Sequence, residues 1–449
     1  MPFPQPDDAT NLPNGDGADA TADPWGLHGI EPTRLIIAWP DDQPPTRTEV
    51  MSLFEAAAGG LNDQGELEGG SPDVLWNAVV RPAGAEISQI LWCEPGKMMI
   101  DPATGAPGYR PTWVVGVETL LDPDDAVASY ARLLRLAMNA MPDAPVIYDA
   151  SSFRSFSRED LAWMLPSIDL EPVADSLWCI HVVGREKGEG PVWLHTHGLW
   201  RCGRPELEML EVPTEFIGTA AEMINLVGER WLDEAPPAPG GIMPLGDTLN
   251  ISLQRWQDCV ETLPPGSPGE KADRADGEDG DHVGARAVIC DARPRGVFRK
   301  VWTWPEQVIR ALEEGSAVVA RTERATRRSE QIARATWPEL AMAHADFRRA
   351  RKGVHHPDVH FLLKIGLPYG EGEDASREHM WFEVERFEGD RAEARLLNRP
   401  HFVEGLSEGD VRSVERSQLS DWSVFSPEGR FEPGRSAGLR EALERLART

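Results

Sequence analysis

The residues whose types and spacing best suit metal binding or catalysis form two pairs, Cys179-x-His181 and His195-x-His197. Alternate residues of a β-strand face the same side, so each pair shares a face if it lies on a strand. A hairpin whose turn is centred on Gly188 places residue 179 opposite 197 and residue 181 opposite 195. The four side chains then converge on one face. This pattern predicts a nitrogen and sulfur site for zinc or iron.

This prediction depends on strand register, because a shift of the pairing sum by one residue sends the two pairs to opposite faces. Glu206 and Glu208 alternate along the next predicted strand and could add carboxylate ligands or form a polar pocket without metal. A structural interpretation also stands. Cys179 could be a small apolar core residue, and the two histidines of the second pair could bond backbone groups or Glu206.

A second histidine group comprises His355, His356 and His360. Helical spacing would bring His356 and His360 together, but Pro357 favours a loop. We therefore expect solvated or capping histidines here rather than metal ligands.

Five arginines form a locally basic segment between residues 321 and 334 of an acidic chain. On a helix they would form a stripe, suited to nucleic acid or an acidic partner. We expect instead that the stripe contacts the acidic surface of the chain itself or is solvated. For Trp381 and Trp422, on strand-like segments further on, we expect positions in a core.

The elements that must position these residues predict an α+β fold. In the N-terminal part, strand-like segments and two amphipathic helices alternate, which favours a ferredoxin-like or related α/β sandwich. Short strands separated by Gly- and Asp-rich turns predict a small curled-sheet or barrel-like C-terminal domain. The predicted organisation is a disordered tail (1–24), an N-terminal α+β region of one or two subdomains (30–235), a linker or low-complexity excursion (236–285), an α/β continuation (286–335), a C-terminal domain (336–430) and a terminal helix (431–449).

Composition limits the classes of function. The chain has 449 residues, too many for one core, and its net charge of −29 disfavours binding to nucleic acid or anionic membranes. Five scattered cysteines without a CxxC pair indicate reduced thiols. With no signal-like start and no apolar run of membrane-spanning length, we expect a cytoplasmic protein.

The C-terminal region resembles the bacterial domain of unknown function 2314. The resemblance is carried by the motifs Phe361–Lys364, Glu378–Trp381, Asn398–Pro400, Leu406-x-x-Gly409-Asp410 and Ser420–Trp422. The preceding region is similar to the family of unknown function 4026, through residues Trp113–Leu121 and His195–Leu210. These resemblances imply a bacterial origin and bring no activity, cofactor or catalytic residue.

The sequence lacks the fingerprints of nucleotide-binding loops, the nucleophile elbow, the HExxH zinc motif and the EF-hand. Our leading hypothesis is therefore a non-enzymatic protein-binding module, similar to an immunity protein or antitoxin, whose acidity suits a basic protein partner. The alternative is a metal-binding protein or metal-dependent enzyme that uses the Cys/His hairpin. A nucleic-acid role for the arginine segment comes third.

Overall fold

The structure, a computed structural model, forms two compact units. The first lies within Met1–Ser155 and Asp175–Arg321, and the second within Phe156–Ala174 and Thr322–Thr449. The residues described are 23–68, 71–97, 99–100, 107–167, 169–185, 190–246, 249–275, 282, 284–296, 300–314, 321–370, 376–436 and 438–448. Residues 1–22 of the predicted tail and residues 186–189 around Gly188 therefore lie outside the described part of the chain.

The first unit begins with a seven-stranded sheet. Its strands are β1 (Thr33–Ala38), β2 (Leu61–Gly65), β3 (Trp76–Pro82), β4 (Gln89–Pro95), β7 (Trp113–Thr119), β8 (Ile147–Asp149) and β9 (Arg154–Phe156), and a separate short pair consists of β5 (Met99–Ile100) and β6 (Pro107–Tyr109). Helices α1 (Arg47–Ala58) and α2 (Ala126–Ala140) connect them. The strand order is β2-β3-β4-β7-β1-β8-β9, and the central strands β4-β7-β1-β8 are all antiparallel neighbours. With the two helices they reproduce the predicted ferredoxin-like βαββαβ arrangement.

Local signals explain where these elements begin and how tightly they pack. Thr46 caps α1 in a capping box with Glu49, so a side chain satisfies a backbone donor that the helix leaves open. On β7, Gly116 lies beneath the indole of Trp92, where a Cβ atom would come within 2.0 Å of the ring. This position therefore requires glycine for close packing.

The second sheet of this unit has six strands. They are β10 (Cys179–Val183), β11 (Val192–His197), β12 (Glu206–Val212), β13 (Ile242–Pro244), β14 (Asn250–Arg255) and β15 (Arg286–Asp291), and the associated helices are α4 (Ile217–Asp233), α5 (Trp256–Val260), α6 (Lys271–Ala275) and α7 (Glu306–Glu313). The strand order is β10-β11-β12-β15-β14-β13. Strands β12 and β15 pair in parallel, whereas the other neighbouring strands are antiparallel.

The region 236–285 differs from the linker that its composition suggests. Strands β13 and β14 lie within it and add to the sheet, with Ile251 and Leu253 fully buried. Further along, Arg274 is also buried and lies between the rings of Trp193 and Trp256, 4.9 and 4.6 Å from their centroids. Its composition is polar, but these buried side chains anchor the described parts of the segment to the sheet.

The second unit has a six-stranded antiparallel sheet. Its elements are α3 (Arg158–Met164), α8 (Glu323–Ala335), α9 (Trp337–Ala350), β16 (His360–Tyr369), β17 (Ser376–Glu388), β18 (Arg391–Leu396), β19 (Val411–Glu415), β20 (Leu419–Ser426), β21 (Gly429–Phe431) and α10 (Leu439–Leu446). The strand order is β19-β18-β17-β16-β20-β21. Within the described residues its outer strands, β19 and β21, do not pair with each other, so the sheet is open and does not form a closed barrel.

The two tryptophans of this unit have different surroundings. Trp422 is fully buried in the core and donates its indole N–H to Thr336, at 2.9 Å. Trp381 is half-buried, with the ammonium of Lys364 5.7 Å from its ring centroid. The prediction of a core position is therefore confirmed for Trp422 and wrong for Trp381. Successive strand residues face opposite sides, and both neighbours of Trp381, Met380 and Phe382, are buried in the core.

Most of the basic segment forms helix α8, and three arginines of this helix contact acidic residues of the second unit. Arg328 and Arg324 lie 2.9 and 3.5 Å from the carboxylate of Glu171, and Arg334 lies 2.9 Å from Glu330. These contacts agree with the expectation that the stripe meets the acidic surface of its own chain. Among the helices in the described ranges, none is long and apolar enough to cross a membrane.

Candidate metal centre

The hairpin formed by β10 and β11 has the register that would gather the four predicted ligands. Cys179 lies opposite His197, and His181 lies opposite His195. Directly opposed residues of an antiparallel pair face the same side, as do alternate residues within each strand. The four residues therefore share a face, as the sequence predicted.

Three imidazoles meet on this face. The Nε2 atoms of His195 and His197 are 3.1 Å apart. The ring of His181 has its centroid 4.6 Å from that of His197 and 5.5 Å from that of His195. One potential ligand nitrogen from each histidine lies within 4.8 Å of the others. The His195 and His197 nitrogens are already about as close as two ligands of one metal ion, and a bound ion would fix the position of the His181 nitrogen beside them.

Cys179 shares the register but not this group of ligand atoms. Its thiol is not among the potential ligand atoms within 4.8 Å of one another in the described cluster. Burial raises the pKa of the thiol to about 12, so it stays protonated in the metal-free protein. The structure thus brings together three of the four predicted ligands.

A fourth histidine, His282, joins the cluster from the end of the excursion. Its ring centroid lies 4.8 Å from that of His195 and 5.4 Å from that of His197. The sequence pattern did not indicate this residue, because it follows a polar stretch interpreted as a linker. The available signal was the histidine itself, placed four residues before strand β15.

Burial governs the protonation of these rings. It lowers the pKa values of His181, His195 and His197 below the ordinary histidine value, and the nearby guanidinium of Arg286 lowers them further. The pKa of His282 is lowered for the same two reasons, again with burial first. The imidazoles are therefore neutral near pH 7, which is the state that binds metal.

Two nitrogens of the cluster lack a hydrogen-bond partner. The Nδ1 atoms of His195 and His282 are both buried without one. An unsatisfied buried polar atom costs about 1–3 kcal/mol, and each such atom in a folded protein calls for an explanation. His195 is 1% exposed, and a metal ion bound through its Nε2 atom would leave its Nδ1 atom without a partner.

Aromatic rings enclose the histidines. The indole of Trp193 lies 4.0 Å from the ring of His195, centroid to centroid. Phe153 lies 5.4 Å from His181 and 5.1 Å from His197. Phe153 also has a φ of +54°, a conformation rare for an aromatic residue, and neighbouring structure must hold it there. These rings lower the effective dielectric constant around the histidines, which strengthens electrostatic interactions there.

The two glutamates proposed as additional ligands have other partners. Glu206 accepts hydrogen bonds from the hydroxyl of Thr196 and the backbone N–H of Gly198, at 2.5 and 2.8 Å. Glu208 accepts one from the indole of Trp193 at 3.0 Å and pairs with Arg274 at 3.1 Å. In the structure these carboxylates fix the end of the hairpin and the excursion.

Two family models match the chain. Residues 180–290 match one described as "Protein of unknown function (DUF4026) C-terminal". Residues 327–431 match one described as "Uncharacterized protein conserved in bacteria (DUF2314)". The two matches fall in the expected order. They confirm both resemblances and support the bacterial origin that those implied.

All four clustered histidines lie within residues 180–290, the segment that matches the first model, whereas Cys179 lies just outside it. No curated protein matches the chain, and no solved structure does. Function is therefore inferred from the geometry of the cluster.

Proposed function

We propose that the protein binds a divalent transition-metal ion, zinc or iron, through His181, His195 and His197. The observation that carries this proposal is the close approach of three neutral, largely buried imidazoles. Two nitrogens bound to zinc at its usual distance of about 2.0–2.1 Å and a tetrahedral angle lie roughly 3.4 Å apart. The separation of 3.1 Å between the Nε2 atoms of His195 and His197 needs an adjustment of only a few tenths of an ångström.

The donor set points to the kind of metal and the kind of site. Imidazole suits zinc, copper, iron and nickel, whereas calcium and magnesium prefer oxygen. Three protein ligands are typical of catalytic zinc sites, in which water holds the fourth position. The cluster therefore supports a metal-binding protein with an open coordination position, suited to metal-dependent chemistry.

The immunity-like hypothesis rests on the net charge of −29, the modular organisation of the chain and the lack of recognised catalytic motifs in the sequence. That charge would speed association with a basic partner through long-range attraction. It specifies no contact surface, and we therefore prefer the metal centre, which specifies the residues that act.

The test is elemental analysis of untagged protein purified without chelator, followed by zinc titration of chelator-treated protein. We expect wild-type protein to bind zinc or a similar divalent transition-metal ion tightly. The bound ion should raise the free energy of unfolding by RT ln(1 + [L]/Kd), where [L] is the concentration of free ion. His195→Gln/His197→Gln should abolish binding at this centre and so lower the bound zinc by one equivalent. His181→Gln, at a half-buried position on an outer strand, should weaken binding there at least tenfold.

The matched control is His28→Gln, which removes an exposed histidine of the same unit. It should bind metal as the wild type does. Circular dichroism of each variant separates loss of metal from loss of fold. Folded wild-type protein whose thermal midpoint does not respond to zinc would overturn the proposal.

A further inference from the structure

A second cluster of potential ligands lies in the other unit, outside the centre described above. It consists of His355, His360 and Glu383, whose ligand atoms all lie within 4.8 Å of one another. The Nδ1 atom of His360 is 2.7 Å from Oε1 of Glu383, and the Nε2 atom of His355 is 3.9 Å from the same oxygen. One carboxylate oxygen is thus shared between two imidazoles.

Strand geometry explains how the cluster forms. Along β16 the core-facing residues are Phe361 and Leu363, so His360 and Leu362 face the other side. Leu362 lies opposite Glu383 in the register of β16 with β17. Glu383 is therefore a diagonal neighbour of His360 on the outer face of the sheet, within reach of a long side chain.

The loop before β16 contributes the third residue. His356 is used within this loop, since its Nδ1 accepts a hydrogen bond from the backbone N–H of Asp358 at 3.1 Å. The chain therefore presents His355 to Glu383 instead. The sequence raised the pairing of His356 with His360 by helical spacing, but Pro357 keeps the segment in a loop, and the two histidines that converge on Glu383 are His355 and His360.

We infer that His355, His360 and Glu383 form a second binding site for a zinc-class divalent ion. Two imidazoles and one carboxylate are the ligand set of a group of catalytic zinc sites. The side chains of His355, His360 and Glu383 are 59%, 41% and 28% exposed, so water can occupy the remaining coordination position. Because exposed side chains lose rotamer freedom when a metal orders them, binding is weaker than at a buried centre.

The test measures this site without interference from the buried cluster. Full-length His195→Gln/His197→Gln protein, treated with chelator, is titrated with zinc by calorimetry and with cobalt(II) by visible absorption. We expect one equivalent to bind, with a cobalt spectrum that indicates four or five ligands. Adding His355→Ala/His360→Ala should remove this binding, and Glu383→Gln should weaken it at least tenfold.

His356→Ala is the matched control, because it removes the neighbouring histidine, which is engaged with the loop backbone. It should leave stoichiometry and affinity unchanged. Equal binding by proteins with and without His355 and His360 would overturn the inference. A loss of binding in His356→Ala as large as that in His355→Ala/His360→Ala would also overturn it. The His195→Gln/His197→Gln and His355→Ala/His360→Ala proteins report the two sites separately, so failure of either leaves the other measurable.

Discussion

The guanidinium of Arg274 lies 3.1 Å from the carboxylate of Glu208, and neither side chain is exposed to solvent. Arg274 comes from the segment whose composition suggested a linker, and Glu208 comes from strand β12 next to the histidine cluster. The same arginine lies between two indole rings, which adds cation–π attraction. This pair holds the excursion against the second sheet.

Breaking this pair should destabilise the first unit strongly. Removing one partner of a buried ion pair leaves an uncompensated charge and costs about 3–5 kcal/mol. We expect Arg274→Met to lower the free energy of unfolding by that amount in urea titrations followed by tryptophan fluorescence. Adding Glu208→Gln should recover part of the loss. Arg349→Ala, which removes an exposed ion pair with Asp346, should change stability by less than about 1 kcal/mol.

Two glycines should respond to alanine in opposite directions. Gly116→Ala places a methyl group within 2.0 Å of the Trp92 ring, and overpacking of this kind costs about 1–3 kcal/mol or more. Gly218 lies in α4, where no neighbouring side chain or segment comes within 4 Å of the position that an alanine methyl would take. Gly218→Ala should therefore stabilise the helix by about 0.5–1 kcal/mol. Thermal and urea unfolding of both variants would check this contrast, and equal effects would contradict it.

Asp149 should be sensitive to the loss of each of its partners. It accepts hydrogen bonds from Tyr130 and Ser152, at 2.7 and 2.8 Å, and pairs with the buried Arg201 at 2.8 Å. Tyr130→Phe removes one hydrogen bond to a charged group and should cost about 1.5–3 kcal/mol. Asp149→Ala leaves the guanidinium of Arg201 buried without its carboxylate and should cost about 3–5 kcal/mol. Chemical denaturation measures both; a larger loss for the tyrosine variant would refute this ordering.

His344 should make the second unit sensitive to acid. Burial, with a smaller contribution from Arg348, holds its pKa at about 4, below the ordinary value near 6.5. The unfolded chain therefore binds a proton that the folded chain excludes. The contribution of neutral His344 to the free energy of unfolding is fully present above pH 6.5. It falls as the pH drops toward 4, by about 3 kcal/mol at most. His344 packs against Phe361 and Phe387, so leucine fits its surroundings. His344→Leu should therefore flatten the dependence of the free energy of unfolding on pH between 4 and 6.5, measured by urea titration. An unchanged slope would contradict this assignment.

The sequence predicted much of the hairpin because its signals are local. Alternation within Cys179–His181 and His195–His197, together with the turn between the strands, was sufficient to predict which residues share a face. It could not predict that His282 would join them, because that contact depends on long-range pairing of β12 with β15. The sequence also could not specify where the carboxylates of Glu206 and Glu208 point. In the structure they bind Thr196 and Arg274 respectively.

The second cluster shows a related limit. The two histidines and the carboxylate come together through the register of β16 with β17, which periodicity alone does not determine. The ferredoxin-like arrangement was more accessible, because two amphipathic helices between strand-like segments constrain the possible topologies. Polar composition misled for 236–285, where Ile251, Leu253 and Arg274 anchor the chain.

The parallel pairing of β12 with β15 has a consequence for the order of events during folding. Hairpins form within about 1–10 μs, so the strands that carry His181, His195 and His197 can meet early. Parallel pairing across a long crossover is slower, because the entropy of loop closure must be overcome before the contacts form. We therefore expect a metal ion added during refolding to meet the three imidazoles of the hairpin first, and the arrival of His282 to follow the pairing of β12 with β15.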